Sequence, residues 1–394
     1  MNDQNKTIVL FNGQSQYNVL RFFIKDLAFS FKQLGFDVEI IDLLKSSWAT
    51  ELEKVLKEKN VFFFLSMNAM GVDLKVGDKP LYDYVNIPLF AFMVDHPMYH
   101  INRLNLGLKN LIVSCVDKTH ISFLNRFLKG GYTKIFIPHG APYPVPETLK
   151  SMKERNIDIL FSGSFTNPDH FRNQWTSQGK HIAQLFDSIM ERYLYSYGKT
   201  LINIAEDVFI ENGIDIEYMN HYKFWHTLIN VDKYIRHKRR FETILEISKI
   251  GARIELYGNG WENGLLSANS IKINSSINFE KTQEKMRNSK IVLNVLPNFI
   301  RGGHERIFTT MLNGAVSLTD KNLFLNEVFE DKKDILLYSF GQRLGDLLEN
   351  LLNNEERLQA IADKGRKKVE QNHTWLTRAK KIVETVIYHK YFTS

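Results

Sequence analysis

The sequence alternates short, continuously apolar runs with amphipathic stretches of helical length, and this alternation constrains the fold more than any other feature. In the N-terminal part the apolar runs are Thr7–Phe11, Asp37–Asp42, Val61–Leu65, Leu89–Val94, Leu111–Cys115 and Lys134–Ile137. Continuous apolar runs are typical of strands that are covered on both faces, as in a parallel sheet. Because helices separate the runs, the pattern predicts right-handed βαβ crossovers and a doubly wound α/β domain.

A second series of the same kind follows a proline-rich segment. Its strands are predicted at Ile157–Phe161, Arg253–Tyr257, Ile271–Ile273, Ile291–Val295, Ala315–Leu318 and Ile335–Tyr338. Residues 169–234 show helical periodicity without a strand signal, which predicts a helical insertion. Further helices are expected at Arg239–Ile250, 341–352, 354–371 and 375–390. The sequence therefore predicts an α/β protein with two Rossmann-like, doubly wound parallel-sheet domains that face a cleft.

Prolines mark the boundary between the two series. Four of the nine prolines lie in IPHGAPYPVP, residues 137–146, which cannot form a helix interior or a central strand. This segment is either a stiff connector or a loop that enters the cleft. We expect an N-terminal domain over 1–145 and a C-terminal domain over 155–374, with the insertion at about 169–234. The last helix, 375–394, then crosses back to the first domain or touches a membrane.

Composition places the chain among globular proteins, with 44% hydrophobic and 24% charged residues. No apolar run approaches the roughly 20 residues that span a bilayer. The start, MNDQNKTIVLF, has no basic segment leading into an apolar one, so no secretory leader is expected. The single cysteine, Cys115, excludes a disulfide framework and a cysteine-rich metal site. These features favour a cytoplasmic protein, with peripheral membrane contact as an open alternative.

The charge balance does not indicate a nucleic-acid-binding protein. Lys and Arg number 51 against 44 Asp and Glu, and the net charge of +7 is mild for 394 residues. No nucleic-acid-binding module is visible, so nucleic acid is not an expected partner. The basic run RHKRR at 236–240 lies on a solvated helix face or contacts phosphate. The run KGRKK at 364–368 is solvated or touches an anionic membrane surface.

Four segments of the second series follow predicted strands, where doubly wound sheets bind their ligands. They are FSGSF at 161–165, YGNGW at 257–261, NVLPN at 294–298 and RGGHER at 301–306. In the last segment, two glycines precede a predicted helix, and the free N–H groups and positive dipole of a helix N-terminus suit a phosphate. The alternative is that the glycines only make a tight turn. The candidate donor-binding residues are Gly163, Ser164, Tyr257, Gly258, Asn259, Gly260, Trp261, Pro297, Gly302, Gly303, His304, Glu305 and Arg306.

The order of these motifs resembles the C-terminal half of the group-1 GT-B glycosyltransferases, most closely the spore-maturation (CgeB-like) family. In that family a strand ends in YG-x-G-W, as LYGNGW does here, and a later helix carries R-x-F-E before x-x-G-A and T-D. Arg306 and Phe308 match the helix, and Asn313–Ala315 and Thr319–Asp320 match the later positions. In the N-terminal half, DHP at 95–97 and IPHG at 137–140 are similar to family segments.

The resemblance implies the GT-B fold and the transfer of a sugar from a nucleotide-sugar donor to a glycan, lipid-linked glycan or protein acceptor. It also implies that helix N-termini and cationic side chains, rather than a metal ion, stabilise the leaving diphosphate. No Asp-x-Asp pair is present, and no metal or other cofactor is expected. Arg240, at the predicted start of a helix, forms the expected diphosphate clamp with Arg306; the alternative for Arg240 is a plain surface role.

One position departs from the family pattern. Many retaining members bind the donor ribose with a glutamate where this chain has Thr309, and the nearest acid is Glu305, one helical turn earlier. Either Glu305 makes the ribose contact or that contact differs. The departure also leaves open an inactive GT-B-like subunit that binds or chaperones an active partner. A sugar-nucleotide epimerase shares the same architecture.

A catalytic base for the acceptor hydroxyl is expected from the N-terminal domain. Asp95 and His96 directly follow the strand Leu89–Val94, and His139 in the proline-rich segment is the next candidate. Asp95 is alternatively the cap of a helix that starts at Pro97. In a retaining enzyme, Asp95 and His96 would instead orient the sugar.

Two further segments are candidates for the acceptor side. Asn12, Gly13 and Gln14 follow the first strand and form either an acceptor loop or an ordinary turn. The insertion is rich in aromatic residues: Trp175, Tyr193, Tyr195, Tyr197, Tyr222, Phe224 and Trp225. Because sugars stack on aromatic rings, these side chains line an acceptor site or, as their helical spacing also allows, form a small core.

Overall fold

The computed structural model describes residues 6–128, 132–262 and 270–393. The chain divides into two compact units. The first unit is formed by the chain up to Val145 together with the chain from Glu370 onward. The second unit is Pro146–Val369. Each unit contains a parallel sheet of six strands. The predicted α/β class with two Rossmann-like sheets is therefore confirmed.

The first unit is a doubly wound domain with one small hairpin. Its elements are β1 (Lys6–Asn12), α1 (Val19–Gln33), β2 (Asp37–Asp42), α2 (Trp48–Glu58), β3 (Asn60–Met67), β4 (Lys75–Val76), β5 (Lys79–Pro80), α3 (Leu81–Tyr84), β6 (Leu89–Met93), α4 (Ile101–Leu104), β7 (Leu111–Cys115), α5 (Lys118–Phe127) and β8 (Thr133–Phe136). The sheet order is β2-β1-β3-β6-β7-β8, and β4 and β5 pair separately. All of β6 and all but the first residue of β3 are buried, as continuous apolar runs predict.

The second unit begins with a strand and four consecutive helices. Its elements are β9 (Ile157–Ser162), α6 (Pro168–Thr176), α7 (Lys180–Leu194), α8 (Leu201–Glu211), α9 (Tyr222–Ser248), β10 (Ile254–Tyr257), β11 (Ile271–Asn274), α10 (Phe279–Arg287), β12 (Ser289–Leu293), α11 (Glu305–Leu312), β13 (Val316–Asp320), α12 (Leu323–Val328), β14 (Leu336–Tyr338), α13 (Gly345–Leu352) and α14, which continues to Asn372 (Glu355–Asn372). The sheet order is β11-β10-β9-β12-β13-β14. The order reverses between β9 and β12, and ligands of such sheets bind at this switch point.

Helix α9 differs from the prediction in its start. A separate helix was expected at Arg239–Ile250, but a single helix of 27 residues runs from Tyr222 to Ser248. No glycine or proline interrupts this stretch, so nothing in the local sequence ends the helix before Arg239. Arg240 therefore lies in the helix interior and not at its first turn.

The last helix, α15 (Trp375–Thr393), packs within the first unit. The Trp375 side chain is fully buried, and its ring centroid lies 5.2 Å from that of Phe23 on α1. The backbone N–H of Trp375 donates to the carbonyl of Ala141 over 2.9 Å. Nε of Arg378 donates to the carbonyl of His139 over 3.0 Å. Helix α15 thus holds the proline-rich segment. Within the described ranges, none of the helices combines the length and the apolar character needed to cross a bilayer.

Candidate functional site

The loops that follow the neighbouring strands β9 and β10 interlock. The N–H of Gly163 donates to the carbonyl of Tyr257 over 2.8 Å, and the N–H of Phe165 donates to the carbonyl of Asn259 over 2.9 Å. The N–H of Asn259 in turn donates to Oγ of Ser164 over 3.3 Å. The segments FSGSF and YGNGW therefore form one double loop at the carboxyl edge of the second sheet, next to the switch point.

The glycines of YGNGW allow this close approach. A Cβ on Gly258 would lie 2.3 Å from the carbonyl oxygen of Gly163, and a Cβ on Gly260 would lie 2.0 Å from that of Phe165. Gly260 also has a φ of +90°, which disfavours any residue with a side chain. Trp261 is fully buried, and its Nε1 donates to the carbonyl of Gly163 over 2.8 Å. The Trp261 side chain, predicted to bind the donor, therefore supports the double loop from the core.

Cationic side chains gather beside the double loop. Nη1 of Arg240 donates to the carbonyl of Ser164 over 2.9 Å. Burial, with smaller effects from the charges of Arg236 and Arg306, lowers the pKa of Arg240 to about 9. Arg236 is paired with Asp232. Neither Arg240 nor Arg306 forms an ion pair with a carboxylate in the described part of the chain. The described part of the unit therefore holds two arginines without a direct carboxylate partner at the place where the sheet order reverses, which is suited to an anion.

Helix α11 begins at Glu305, next to these arginines. His304 is its N-cap, and His304 Nδ1 accepts a hydrogen bond from the N–H of Arg306 over 3.2 Å. Gly302 and Gly303, which precede the cap, are buried. A Cβ on Gly303 would lie 3.1 Å from the ring of Phe308. A side chain on Gly303 would thus crowd the Phe308 ring, and Arg306 extends from the first turn of the helix.

Thr309 and Glu305, the two candidates for contact with the donor ribose, are both buried. Thr309 is fully buried, and its Oγ1 has no hydrogen-bond partner among the residues that the structure describes. Glu305 is 5% exposed, and its Oε2 lies 3.0 Å from Nδ1 of His304. Glu305 is the first residue of α11, so it is one turn closer to the carboxyl edge of the sheet than Thr309.

The loop after β12 is fixed by a buried acid. Asp320, the last residue of β13, accepts a hydrogen bond of 2.6 Å from the N–H of Leu296, and its Oδ1 lies 3.5 Å from Nη1 of Arg239. Burial raises the pKa of Asp320. The hydroxyl of Tyr193 donates to the carbonyl of Pro297 over 3.0 Å. Pro297 is itself buried, so it shapes the loop. Arg239 was not among the predicted residues, although it neighbours one of them in sequence.

In the first unit, Asn68 holds the carboxylate of Asp95. Nδ2 of Asn68 donates to Oδ2 of Asp95 over 2.7 Å, and Oδ1 of Asn68 accepts from the N–H of Val94 over 2.9 Å. Nε2 of His100 lies 3.4 Å from the same Oδ2. The Asp95 side chain is 57% exposed and that of His100 is 17% exposed. Asp95 is therefore an accessible carboxylate in a fixed orientation.

Asn68 is not among the residues predicted from the sequence. It follows β3 as Asp95 follows β6, so its position after a buried strand was the available signal. Asn68 and Ala69 have φ values of 51° and 54°, in the left-handed region that costs residues with side chains free energy. Nη1 of Arg103 donates to the carbonyl of Asn68 over 3.1 Å and supports this conformation. Such backbone strain is typical of functional loops.

The histidines of the first unit are engaged in other contacts. Nδ1 of His96 accepts a hydrogen bond from the N–H of Met98 over 3.0 Å, so His96 and not Asp95 caps the turn that starts at Pro97. The ring centroids of His96 and His120 are 4.3 Å apart. Burial lowers the pKa of His120 to about 3. His139 is 2% exposed, and its ring lies among aromatic side chains.

The predicted acceptor loop lies at the switch point of the first sheet. Asn12 is the last residue of β1, and its carbonyl accepts a hydrogen bond of 2.9 Å from the N–H of Leu43. Gly13 is buried, and a Cβ there would lie 2.6 Å from Sδ of Met70, two residues after Asn68. Gln14 is exposed. The loops after β1 and β3 are thus in contact, as adjacent strands require.

The described side chains do not form a cluster of metal ligands. In residues 6–128, 132–262 and 270–393, no three or more His, Cys, Asp or Glu side chains are grouped so that they could hold a metal ion. That the reaction needs no metal stays a prediction.

Comparisons with known proteins agree with this geometry. A sequence model of the family described as "Glycosyl transferase-like" matches residues 236–384, which include the arginines of α9 and all of α11. No curated protein sequence matches the chain. The narrower resemblance to the CgeB-like family is not confirmed.

Several solved structures are similar over nearly the whole chain. An alpha-glucosyltransferase in complex with UDP and DNA is 13% identical, with 98% of this chain and 100% of that chain covered and a TM-score of 0.55. Sucrose-phosphate synthase from Thermosynechococcus elongatus is 9% identical, with 98% and 99% covered and a TM-score of 0.52. HepE from Anabaena, in complex with UDP-glucose, is 12% identical, with 97% and 99% covered and a TM-score of 0.51. The chain therefore has the fold of the GT-B proteins, and its residues 236–384 match a glycosyltransferase-like domain.

Proposed function

We propose that the chain is a metal-independent glycosyltransferase, which moves a sugar from a nucleoside-diphosphate sugar to a glycan, lipid-linked glycan or protein. The observation that carries this proposal is the pair Arg240 and Arg306, without carboxylate partners in the described ranges, beside the switch point of the second sheet. A bound diphosphate would offset the repulsion between these two arginines. The family match over residues 236–384 supports the same conclusion.

The chemistry follows from where negative charge develops. When the bond between the sugar and the diphosphate breaks, charge builds on the leaving phosphate oxygens. Fixed cationic groups and a helix N-terminus stabilise such charge without rearranging at the moment of reaction. Arg240 is held by the carbonyl of Ser164, and Arg306 projects from the first turn of α11. We assign both to the diphosphate, and we assign the ribose to Glu305.

On the acceptor side, we assign Asp95 to the acceptor hydroxyl. Its carboxylate is exposed and oriented by Asn68, whereas the ring of His96 is used as a cap and His139 is buried. In an inverting reaction, Asp95 accepts the hydroxyl proton as the oxygen attacks the sugar. In a retaining reaction, it orients the sugar or the acceptor instead.

The test is donor binding and turnover across nucleotide sugars. The similar alpha-glucosyltransferase is described with UDP and HepE with UDP-glucose, so UDP and UDP-sugars are the first probes, followed by GDP- and dTDP-sugars. We expect calorimetric binding of at least one nucleotide, and sugar release or transfer that persists in EDTA. Absence of both binding and turnover across the panel would contradict the proposal. Turnover that EDTA abolishes would contradict only the metal independence.

A second candidate is an inactive subunit that binds or chaperones an active partner. The observation in its favour is Thr309, which replaces the family acid and is fully buried. Arg306→Ala separates the two candidates: an enzyme loses turnover by orders of magnitude, whereas an inactive subunit still supports its partner. Scrambling of the donor sugar without an acceptor would indicate an epimerase instead.

We also propose a cytoplasmic location with peripheral membrane contact through the end of α15. Tyr388, Tyr391 and Phe392 are 65%, 78% and 78% exposed there, and aromatic side chains favour membrane interfaces. Sedimentation with anionic vesicles tests this contact: the wild type should sediment and the Tyr391→Ser/Phe392→Ser variant should not. Equal sedimentation of the two would rule it out.

A further inference from the structure

A group of exposed aromatic rings lies at the carboxyl ends of β13 and β14. Tyr195 and Tyr197, in the loop between α7 and α8, are 69% and 51% exposed. The ring centroid of Tyr195 lies 5.6 Å from that of Phe340, two residues after β14. The hydroxyl of Tyr197 accepts a hydrogen bond of 2.8 Å from Nδ2 of Asn326, and Nζ of Lys321 lies 5.9 Å from the Tyr197 ring. These contacts hold the rings in place at the surface.

A cavity with a mixed polar and apolar lining adjoins Phe340. It has a volume of about 340 Å³ and lies between the C-terminal half of α9 and the segment Tyr338–Leu344, which includes Phe340. Glu242, Glu246 and Gln342 contribute carboxylate and amide groups to its lining, and Lys249 and Arg343 contribute cationic groups. Its volume lies at the lower end of the range for small-molecule sites, which run from about 300 to 1,000 Å³.

The carboxylates of the cavity are held in place but retain acceptor capacity. Nζ of Lys238 lies 2.7 Å from Oε1 of Glu242, and Nζ of Lys249 lies 2.7 Å from Oε2 of Glu246. Each carboxylate has a second oxygen and about four lone-pair sites in all. A ligand with several hydroxyl donors can therefore bind here without breaking either ion pair.

This combination of groups favours a neutral ligand that carries many hydroxyls. The C–H faces of a sugar ring carry partial positive charge and lie against the negative face of an aromatic ring, while its hydroxyls donate to carboxylates and amides. Lys249, which is paired with Glu246, and Arg343 also line the cavity, so a phosphate would meet two carboxylates beside two cations. An acyl chain would leave these polar groups unsatisfied. We propose that Tyr195, Phe340 and the adjoining cavity form a carbohydrate-binding site that takes one or two sugar residues of an oligosaccharide.

This site is separate from the nucleotide site and goes beyond the proposed function. The arginines assigned to the diphosphate, Arg240 and Arg306, do not line the cavity. Binding of an oligosaccharide here requires neither a donor nor turnover. Its failure is therefore distinguishable from a failure of the transferase proposal, which is tested by nucleotide binding.

The test is a titration of the full chain with maltotetraose, cellotetraose and chitotetraose, followed by calorimetry and saturation-transfer NMR. We expect at least one to bind and Tyr195→Ala to weaken that binding about five- to tenfold, the worth of one aromatic contact. Tyr195 is mostly exposed, so its loss should not affect folding. Phe340→Ala is a second variant, checked for folding because Arg239 also lies 5.0 Å from the Phe340 ring.

Tyr218→Ala is the matched control, because Tyr218 lies in the same helical insertion and is 67% exposed but, in the described part of the chain, makes no ring contact with Phe340 as Tyr195 does. It should bind the oligosaccharide as the wild type does, and saturating UDP should leave the affinity unchanged. Three results would each overturn the proposal. They are no binding of any of the three oligosaccharides, equal binding by the wild type and the Tyr195→Ala variant, and displacement of the oligosaccharide by UDP.

Discussion

Nδ2 of Asn68 donates a 2.7 Å hydrogen bond to Oδ2 of Asp95, which joins the loops after the neighbouring strands β3 and β6. The two residues are 27 positions apart in sequence and meet because parallel strands bring their carboxyl ends to one edge. The same amide group accepts from the N–H of Val94. Asn68 therefore fixes both the backbone and the carboxylate of the residue that we assign to the acceptor.

Asn68→Ala should lower kcat roughly 10- to 100-fold, with the donor KM changed less than about twofold. The reason is that the carboxylate loses its orienting donor, and a misplaced catalytic group costs rate rather than donor binding. Steady-state kinetics on the transferase reaction measure both constants.

Asn86→Ala is the matched control for this prediction. Asn86 also has a left-handed φ, of 53°, and its Oδ1 accepts a hydrogen bond of 3.2 Å from Asn110. Both variants should lose some stability, but only the Asn68 variant should lose kcat. Equal kcat losses in the two variants would show that Asn68 acts only through the fold.

Arg306→Ala should weaken UDP binding at least about tenfold, because a charge-assisted contact to phosphate contributes about 1.5–3 kcal/mol. Without a ligand the same variant should be as stable as the wild type or more stable, since it removes a charge that repels Arg240. Calorimetry with UDP and thermal unfolding measure the two effects.

Arg192→Ala is the control, because Arg192 is ion-paired with Glu211 at the surface. UDP affinity should be unchanged in this variant. If Arg306→Ala binds UDP as the wild type does, Arg306 is not part of the diphosphate site.

Gly260→Ala should destabilise the second unit by roughly 2–4 kcal/mol. The new Cβ would lie 2.0 Å from the carbonyl oxygen of Phe165, at a φ of +90°, so both a clash and backbone strain result. Gly251 has a φ of +69° but no atom within 4 Å of its Cβ position, so Gly251→Ala should cost only about 1 kcal/mol. Urea unfolding of both variants separates the clash from the strain, and equal losses would argue against the interlocked loops.

His120 should make the protein less stable in acid. Its pKa is about 3 in the folded state against an ordinary value of 6.5, so between these values the unfolded chain binds a proton that the folded chain does not. Stability is thus lost as pH falls below 6.5, by about 1.4 kcal/mol per pH unit from this group. His120→Phe should remove that part of the pH dependence in unfolding curves between pH 7.5 and 5. Parallel pH profiles of variant and wild type would contradict the assignment.

Asp26 should make the protein less stable as the pH rises, in contrast to His120. Burial raises its pKa from 3.8 to about 7, so the folded chain keeps a proton that the unfolded chain has lost. Its contribution to stability is present in acid and is lost as pH rises from about 4 to 7. Asp26→Asn should therefore stabilise the protein at pH 7.5 by about 1–4 kcal/mol and have little effect at pH 4. A stabilisation that does not vary with pH would mean that Asp26 is not buried as a neutral acid.

The central strands were predictable because burial on both faces gives a continuous apolar run, as in LFAFM of β6, where every residue is buried. The start of α9 was not predictable, because no glycine or proline marks a helix boundary near Arg239. The hairpin of β4 and β5 also escaped prediction, because strands of two residues carry no periodicity.

The sequence by itself determined the α/β class, the order of the strands along the chain and the loops in which polar residues follow them. These are properties of neighbouring residues, and hydrophobic periodicity records them. Only the tertiary structure decided that Trp261 supports its loop from the core, that His96 rather than Asp95 is a cap, and that Asn68 holds Asp95. Such roles depend on contacts between residues far apart in sequence, which sheet order and side-chain packing create and which no local pattern encodes.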